Sequence, residues 1–217
     1  MLLINFKNSE SAVGKKGLKL AKTINQVAQK TKKIEIGIAI NPLELALICQ
    51  AYPKLTVFLQ HSDEFGFGSH TGSINPFLAK KLGATGVLLN HSEKRLGKRL
   101  QACVETAQAA RLKVIVCAAN VAEVQKITSL KPNFIAVEPP DLIGGKVSVT
   151  TANPAIIQKS VAKVRPCKLL VGAGIKKQTD VATALKLGAH GVLLASGVTN
   201  AKNPQKVLNE LAAGFPQ

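Results

Sequence analysis

Short apolar runs alternate with longer amphipathic segments from one end of the chain to the other. The runs are Leu2 to Phe6, Ile34 to Ile40, Leu55 to Leu59, Gly86 to Leu89, Lys113 to Cys117, Phe134 to Val137, Leu169 to Val171 and Gly191 to Leu194. Between them, apolar positions recur at helical spacing, most clearly over Lys16 to Thr31, Gly97 to Arg111, Val121 to Ser129, Asp180 to Leu187 and Pro204 to Ala212. Eight runs at a mean spacing of about 27 residues match an α/β fold of the (βα)8 barrel type. The second, third and fourth crossovers look short, which predicts a trimmed barrel forming one domain over residues 1–217. A doubly wound open sheet is the structural rival, because alternation alone does not decide closure.

An internal repeat favours closure. Lys81 to Leu89 reads K-L-G-A-T-G-V-L-L and Lys186 to Leu194 reads K-L-G-A-H-G-V-L-L. The same helix end, turn and strand recur four βα units apart, as half-barrel pseudo-symmetry produces. Gly83 and Gly188 fall where a helix ends in a left-handed residue. His190 lies in this turn, at the N-terminal end of its strand, and is assigned no chemistry. In a barrel the active site sits at the C-terminal strand ends, so those ends are where chemistry is sought.

Composition adds one unusual fact, a formal net charge of +17 on 217 residues. Such a field concentrates nucleic acid, anionic surfaces or anionic substrates. The excess is nearly all lysine dispersed along helices, arginine appears only at Arg95, Arg99, Arg111 and Arg165, and Tyr52 stands alone with no tryptophan. Base readout uses arginine and single-strand binding uses interleaved aromatics. The charge therefore reads as a solvated lysine surface that can steer a phosphate substrate, and no nucleic-acid partner is expected. No run of about 18 apolar residues is present, so no membrane span is expected. M-L-L-I-N-F-K lacks a basic leader followed by an apolar segment, so no secretion signal is expected, and Cys49, Cys103, Cys117 and Cys167 are scattered without a C-x-x-C pair. Those features predict reduced thiols in a cytoplasmic protein.

The stretch Asn133 to Lys146, N-F-I-A-V-E-P-P-D-L-I-G-G-K, concentrates candidate chemistry. An apolar strand ends on Glu138, and a carboxylate there loses hydration, which raises its pKa and suits it to accept a proton near neutral pH. Pro139 and Pro140 stiffen the chain beyond it, Leu142 and Ile143 form a small apolar tip, and Gly144 and Gly145 free the return. The pattern reads as a lid, or as a strand-end glutamate with an ordinary connecting loop. At the first strand end, N-F-K places Asn5 and Lys7 on one side and Phe6 on the other. Lys7 can present a fixed cation, and it reads equally as an edge lysine. At the fourth, N-H-S-E-K-R places His91 near a helix start capped by Asn90 or Ser92. There the dipole disfavours its charged form, though a capping-turn histidine without chemistry reads as well. The third strand ends Q-H-S-D-E-F-G-F-G-S-H-T-G. His61, Asp63 and His70 match no metal-ligand spacing, and the loop with Phe65 and Phe67 suits an interaction surface. V-G-A-G-I and L-A-S-G-V-T-N close strands seven and eight with small residues that let backbone amides approach a phosphate.

Taken in order, N-F-K, N-H-S-E-K-R, A-V-E-P-P-D-L-I-G, V-G-A-G-I and G-V-L-L-A-S-G resemble triosephosphate isomerase. The short chain and the Q-H-S-D and G-S-H-T-G loop resemble its compact archaeal form, over Leu3 to about Pro204. The resemblance implies a TIM barrel that interconverts dihydroxyacetone phosphate and D-glyceraldehyde 3-phosphate without a cofactor, a step of glycolysis and gluconeogenesis. It implies Glu138 as the base, His91 as a neutral electrophile, Lys7 as the cation on an enediolate and Asn5 as its orienting partner. Glu93 ties these side chains together, and the amides of Gly144, Gly174, Ala195 and Ser196 hold the phosphate. It also implies a homodimer or homotetramer through the loop after strand three. After Ile143 the chain reads G-G-K where the family more often has a threonine between two glycines, so Gly145 adds freedom and Lys146 charge. Asn90 before the histidine follows the compact form.

The acids support the same base. Glu10, Glu35, Glu44, Glu105, Glu123, Asp180 and Glu210 fall on predicted helices or at the opposite barrel end. Asp63, Glu64, Glu93, Glu138 and Asp141 remain near the mouth, and only Glu138 emerges directly from an apolar strand, with Asp141 expected exposed at the hinge. Two other functions stay open on the sequence. One is a non-catalytic phosphate or nucleic-acid binder on the same barrel, motivated by the charge. The other is a different phosphosugar barrel enzyme, such as an epimerase or a tryptophan-pathway isomerase, since a fold does not fix chemistry.

Overall fold

The computed structural model describes residues 1–145 and 147–216. Eight strands run parallel in sequence order: β1 (Leu2–Asn5), β2 (Ile36–Ile40), β3 (Thr56–Leu59), β4 (Gly86–Leu89), β5 (Lys113–Ala118), β6 (Phe134–Val137), β7 (Lys168–Val171) and β8 (Gly191–Leu194). β8 pairs back onto β1, with Leu2 opposite Val192 and Ile4 opposite Leu194, so the sheet is a closed barrel and the open-sheet alternative is excluded. The helices of the crossovers are α1 (Gly14–Lys30), α2 (Leu45–Ala51), α3 (Pro76–Lys81), α4 (Leu100–Ala109), α5 (Val121–Thr128), α6 (Val149–Ala152), α7 (Pro154–Lys163), α8 (Gln178–Lys186), α9 (Ser196–Thr199) and α10 (Pro204–Ala212). The expected shortening holds for the helices of the second and third crossovers, with 7 and 6 residues. In the fourth crossover, α4 has 10 residues and follows a 3-10 turn at Gly97–Arg99.

The period of two in each strand sorts side chains into two cores. Leu3, Ala39, Phe58, Leu88, Ile115, Cys117, Ala136, Leu170 and Leu193 meet inside the barrel. Leu2, Ile4, Phe6, Ile38, Ile40, Val57 and Leu59 face outward and pack under the helices. Gly86 makes room for the largest interior side chain, because a Cβ there would stand 2.4 Å from the Phe58 ring. Asparagine starts four of the helices: Asn75, Asn120, Asn153 and Asn203 accept backbone N–H bonds at the first turns of α3, α5, α7 and α10, with a proline following in α3, α7 and α10. Each cap contributes about 1 kcal/mol, and the proline is already set for the first helical turn.

The repeat is structural as well as sequential. Gly83 and Gly188 end α3 and α8 with φ of 101° and 98°, and the next residues close the same turn, Ala84 N–H on Ala79 and Ala189 N–H on Ala184. A side chain at that φ is strained, which is why glycine recurs. His190 lies at the N-terminal face, where its carbonyl accepts the N-terminal ammonium of Met1 at 2.8 Å. No helix among the described residues is long and apolar enough to cross a membrane.

Candidate active site

Strand parity delivers the first group of side chains to the barrel mouth. Phe6 packs outward with Leu2 and Ile4, so Asn5 and Lys7 on either side of it turn inward. Lys7 adopts φ 51°, a conformation that costs a non-glycine residue energy, and the Asn5 carboxamide oxygen accepts its N–H at 3.0 Å. Gln60, at the end of β3, secures the bend: its Nε2 lies 3.1 Å from Asn5 Oδ1, the Lys7 carbonyl and the Ala39 carbonyl. The sequence had given Gln60 no role, and an amide placed among three acceptors is visible only in the fold. Lys7 Nζ donates to Glu93 Oε1 at 2.5 Å.

His91 is buried beyond β4, but not at a helix start. Its carbonyl accepts the Lys94 N–H in a turn, and the next helical residues begin at Gly97, so the expected dipole effect and the Asn90 or Ser92 cap are both corrected. Asn90, at φ 60°, instead crosslinks the mouth, donating from Nδ2 to the Cys117 carbonyl at 3.0 Å and accepting the Leu96 N–H at 3.1 Å. The bias of His91 toward its neutral form has another origin. Burial lowers its pKa, Glu93 opposes this and Lys7 adds to it. The Glu93 N–H points at His91 Nδ1 at 3.3 Å, which makes that nitrogen an acceptor and leaves the ring proton on Nε2. Nε2 lies 3.7 Å from Glu138 Oε2.

Glu138 continues the inward parity of Phe134 and Ala136 and is buried. Burial raises its pKa to about 7; the Cys117 thiol and the Lys7 ammonium pull it down, and Glu93 pushes it up. Its Oε2 has no hydrogen-bond partner among the described residues. Gly172 leaves the space for this carboxylate, since a Cβ there would come within 2.4 Å of Glu138 Cγ and 2.5 Å of Oε1. The sequence reading had given the small residues of this strand end to a phosphate; Gly172 serves the carboxylate instead.

From Glu138 the chain turns through Pro140–Leu142 as a 3-10 turn, with Leu142 packed against the core, Ile143 facing the mouth and Asp141 exposed as expected. Gly144 has φ 72°, and the Gly145 N–H returns to the Leu142 carbonyl at 3.1 Å. Lys146 lies outside the described residues. A cavity of about 170 Å³ joins the two halves of the mouth. Asn5, Lys7, His91 and Glu138 line it, as do Gly144, Gly174, Ala195 and Ser196, so the structure brings these expected site residues together. Glu93 stands behind Lys7 and His91. Gly174, at φ 72°, lies against the chain after the loop, where a Cβ would stand 2.2 Å from the Val147 carbonyl oxygen. Lys176 also lines the cavity, and the sequence reading had passed over it.

The remaining candidates lie elsewhere. Asp63 and Glu64 are held by Arg99, Asp63 also by the Ile74 N–H, and His70 stacks on Phe65. Among the described residues no group of three or more His, Cys, Asp or Glu is placed to hold a metal ion. Glu44, Glu123 and Asp180 sit in the first turns of helices, and each accepts a backbone N–H, from Gly14, Ala119 and Lys176 respectively. The four cysteines are free and buried.

A closed parallel barrel that gathers ionisable side chains at the C-terminal ends of its strands is the architecture of a TIM-barrel enzyme. Similarity along the whole chain narrows that class. Residues 1–211 match the family described as triosephosphate isomerase. The chain is 40% identical over 216 residues to the triosephosphate isomerase of Methanocaldococcus jannaschii, covering 97% of this chain and 98% of that one. It is also 40% identical over 216 residues to that of Archaeoglobus fulgidus, covering 97% and 96%. A crystal structure of triosephosphate isomerase from Bartonella henselae superposes with a TM-score of 0.73 at 19% identity, over 97% of this chain and 98% of that one, and speaks for the fold. The chain belongs to the triosephosphate isomerase family.

Proposed function

We propose that the protein interconverts dihydroxyacetone phosphate and D-glyceraldehyde 3-phosphate through an enediolate, with Glu138 as the base. The observation that carries this reading is the buried Glu138 carboxylate, with one oxygen unpartnered among the described residues and a pKa near 7. Such a group can take a proton from carbon and return it at physiological pH. Glu138 removes a C1 proton from the ketose, and the electron pair becomes the C1–C2 double bond as the carbonyl π pair moves to O2. The Nε2 proton of neutral His91 meets the developing oxyanion, and the Lys7 ammonium offsets its charge. Protonation at C2 by Glu138, with the hydroxyl proton at O1 passed to O2 through His91, completes the aldose. Asn5 orients the enediolate. The amides of Gly144, Gly174, Ala195 and Ser196 take the phosphate, and the loop from Pro139 to Gly145 closes over it to exclude water. No cofactor is needed.

The assembly proposed is a homodimer, or a tetramer built from it, working in the cytoplasm. Leu43 is 93% exposed and Phe67 62%, Leu47 on α2 and Leu78 on α3 are exposed, and so is Leu82 just after α3. Apolar side chains concentrated on the segments after β2 and β3 are those of an association surface. The reaction is tested by a coupled assay of glyceraldehyde 3-phosphate conversion on the wild type and on Glu138→Gln. The variant is expected to lose at least 10²- to 10⁴-fold in kcat while staying folded. A variant that keeps wild-type turnover would remove Glu138 as the base.

A further inference from the structure

We infer that Lys176 is an additional phosphate-binding residue, a side-chain cation in the wall of the cavity beside Gly145. The inference rests on the isomerase reading for the identity of the anion. Lys176 follows β7 by five residues and lines the same cavity as Gly144, Gly174 and Ser196. Its N–H and that of Lys177 are fixed on Asp180 Oδ2 at 2.9 and 3.0 Å, which pins the backbone from which the side chain departs. The stem passes Gly197, where a Cβ would lie 3.9 Å from Lys176 Cγ. The ammonium then donates to the Gly145 carbonyl at 2.9 Å.

Three features suit this placement to an anion, which the isomerase reading makes a phosphate. Lys7, the other ammonium lining the cavity, is engaged by Glu93, whereas Lys176 forms no ion pair among the described residues. Its partner is a neutral carbonyl next to Gly144, so this contact does not neutralise the ammonium. An ammonium has three donors, so Nζ can keep the Gly145 carbonyl and still bind an anionic oxygen. Lys176 thereby joins the loop and the phosphate in one contact, and the cation attracts the substrate as part of the positive field of the chain.

The test compares wild type, Lys176→Met and Lys176→Arg. Methionine keeps an unbranched stem without charge, and arginine keeps the charge. Binding of inorganic phosphate is measured by calorimetry at low salt, and kcat and KM are measured for glyceraldehyde 3-phosphate and for unphosphorylated glyceraldehyde. Loss of one charge-assisted hydrogen bond is expected to weaken phosphate and raise KM for the phosphorylated substrate about tenfold in Lys176→Met. Lys176→Arg should stay within about threefold of wild type, and kcat/KM for glyceraldehyde should be unchanged. Phosphate affinity within twofold of wild type in Lys176→Met overturns the inference, as does an equal fall on glyceraldehyde, which would make Lys176 a loop clasp alone. A wild type that binds phosphate through Lys176 but does not isomerise triose phosphate would overturn the proposed function and leave this site standing.

Discussion

Holding a carboxylate in a buried pocket has a cost that is measurable as stability. Glu138 is raised from an ordinary value of 4.5 to about 7, chiefly by burial. Between those two values the native protein keeps the proton and the unfolded chain releases it, so rising pH favours unfolding. At 1.36 kcal/mol for each tenfold change in acidity, the ionised carboxylate disfavours the native state by about 3 kcal/mol once the pH is well above 7. Glu138→Gln removes the charge while keeping the shape. Its stability relative to wild type is therefore expected to differ by less than about 1 kcal/mol at pH 4.5 and to be greater by about 3 kcal/mol at pH 8.5. Urea unfolding at both pH values, at one protomer concentration, reads the difference, because a change in midpoint at constant slope is a change in stability. A stability gain independent of pH, or none at pH 8.5, would refute the account of a desolvated carboxylate. The same substitution removes the proposed base, so activity and stability should move in opposite directions, as expected for a strained functional site.

Other expectations follow from the same geometry. The pH profile of kcat/KM should fall on the acid side through about pH 7 as Glu138 gains its proton, and an acid limb near 4.5 would show that the base is solvated. Gly172→Ala places a Cβ 2.4 Å from Glu138 Cγ and should push the carboxylate aside, lowering kcat on the order of 10²-fold; unchanged turnover would show that the pocket yields at no cost. Phe67→Lys should shift the protein toward monomer in light scattering, whereas a wild type that is itself a monomer at micromolar concentration would remove the proposed assembly.

Much of the molecule could be read from local pattern. Apolar runs at the spacing of a barrel located all eight strands to within two residues, because a strand buried on both faces must be apolar throughout. The same parity set Asn5, Lys7 and Glu138 to face inward, and the abrupt change from apolar to polar at each strand end marked the mouth. The K-L-G-A repeat announced its own turn, since only glycine sits comfortably at the φ that both copies use. Closure of the sheet was another matter, because it depends on β8 meeting β1, a pairing between chain ends that no local pattern encodes.

Tertiary structure alone decided how the site is held and tuned. His91 was expected to be biased toward its neutral form by a helix dipole, and burial and an N–H directed at its Nδ1 supply that bias instead, an environment assembled from distant elements. Gln60 supports the strained Lys7 across a gap of 53 residues, and Gly172 vacates the volume that Glu138 occupies from the neighbouring strand. Lys176 looked like one more surface lysine among many, and its ammonium acquires meaning only by reaching the loop that begins at Glu138. Residue type and spacing state which groups the chain carries and which way each strand turns them. Desolvation, steric room and hydrogen-bond partners depend on what the rest of the fold places alongside, so the environment of each group waits for the barrel to close.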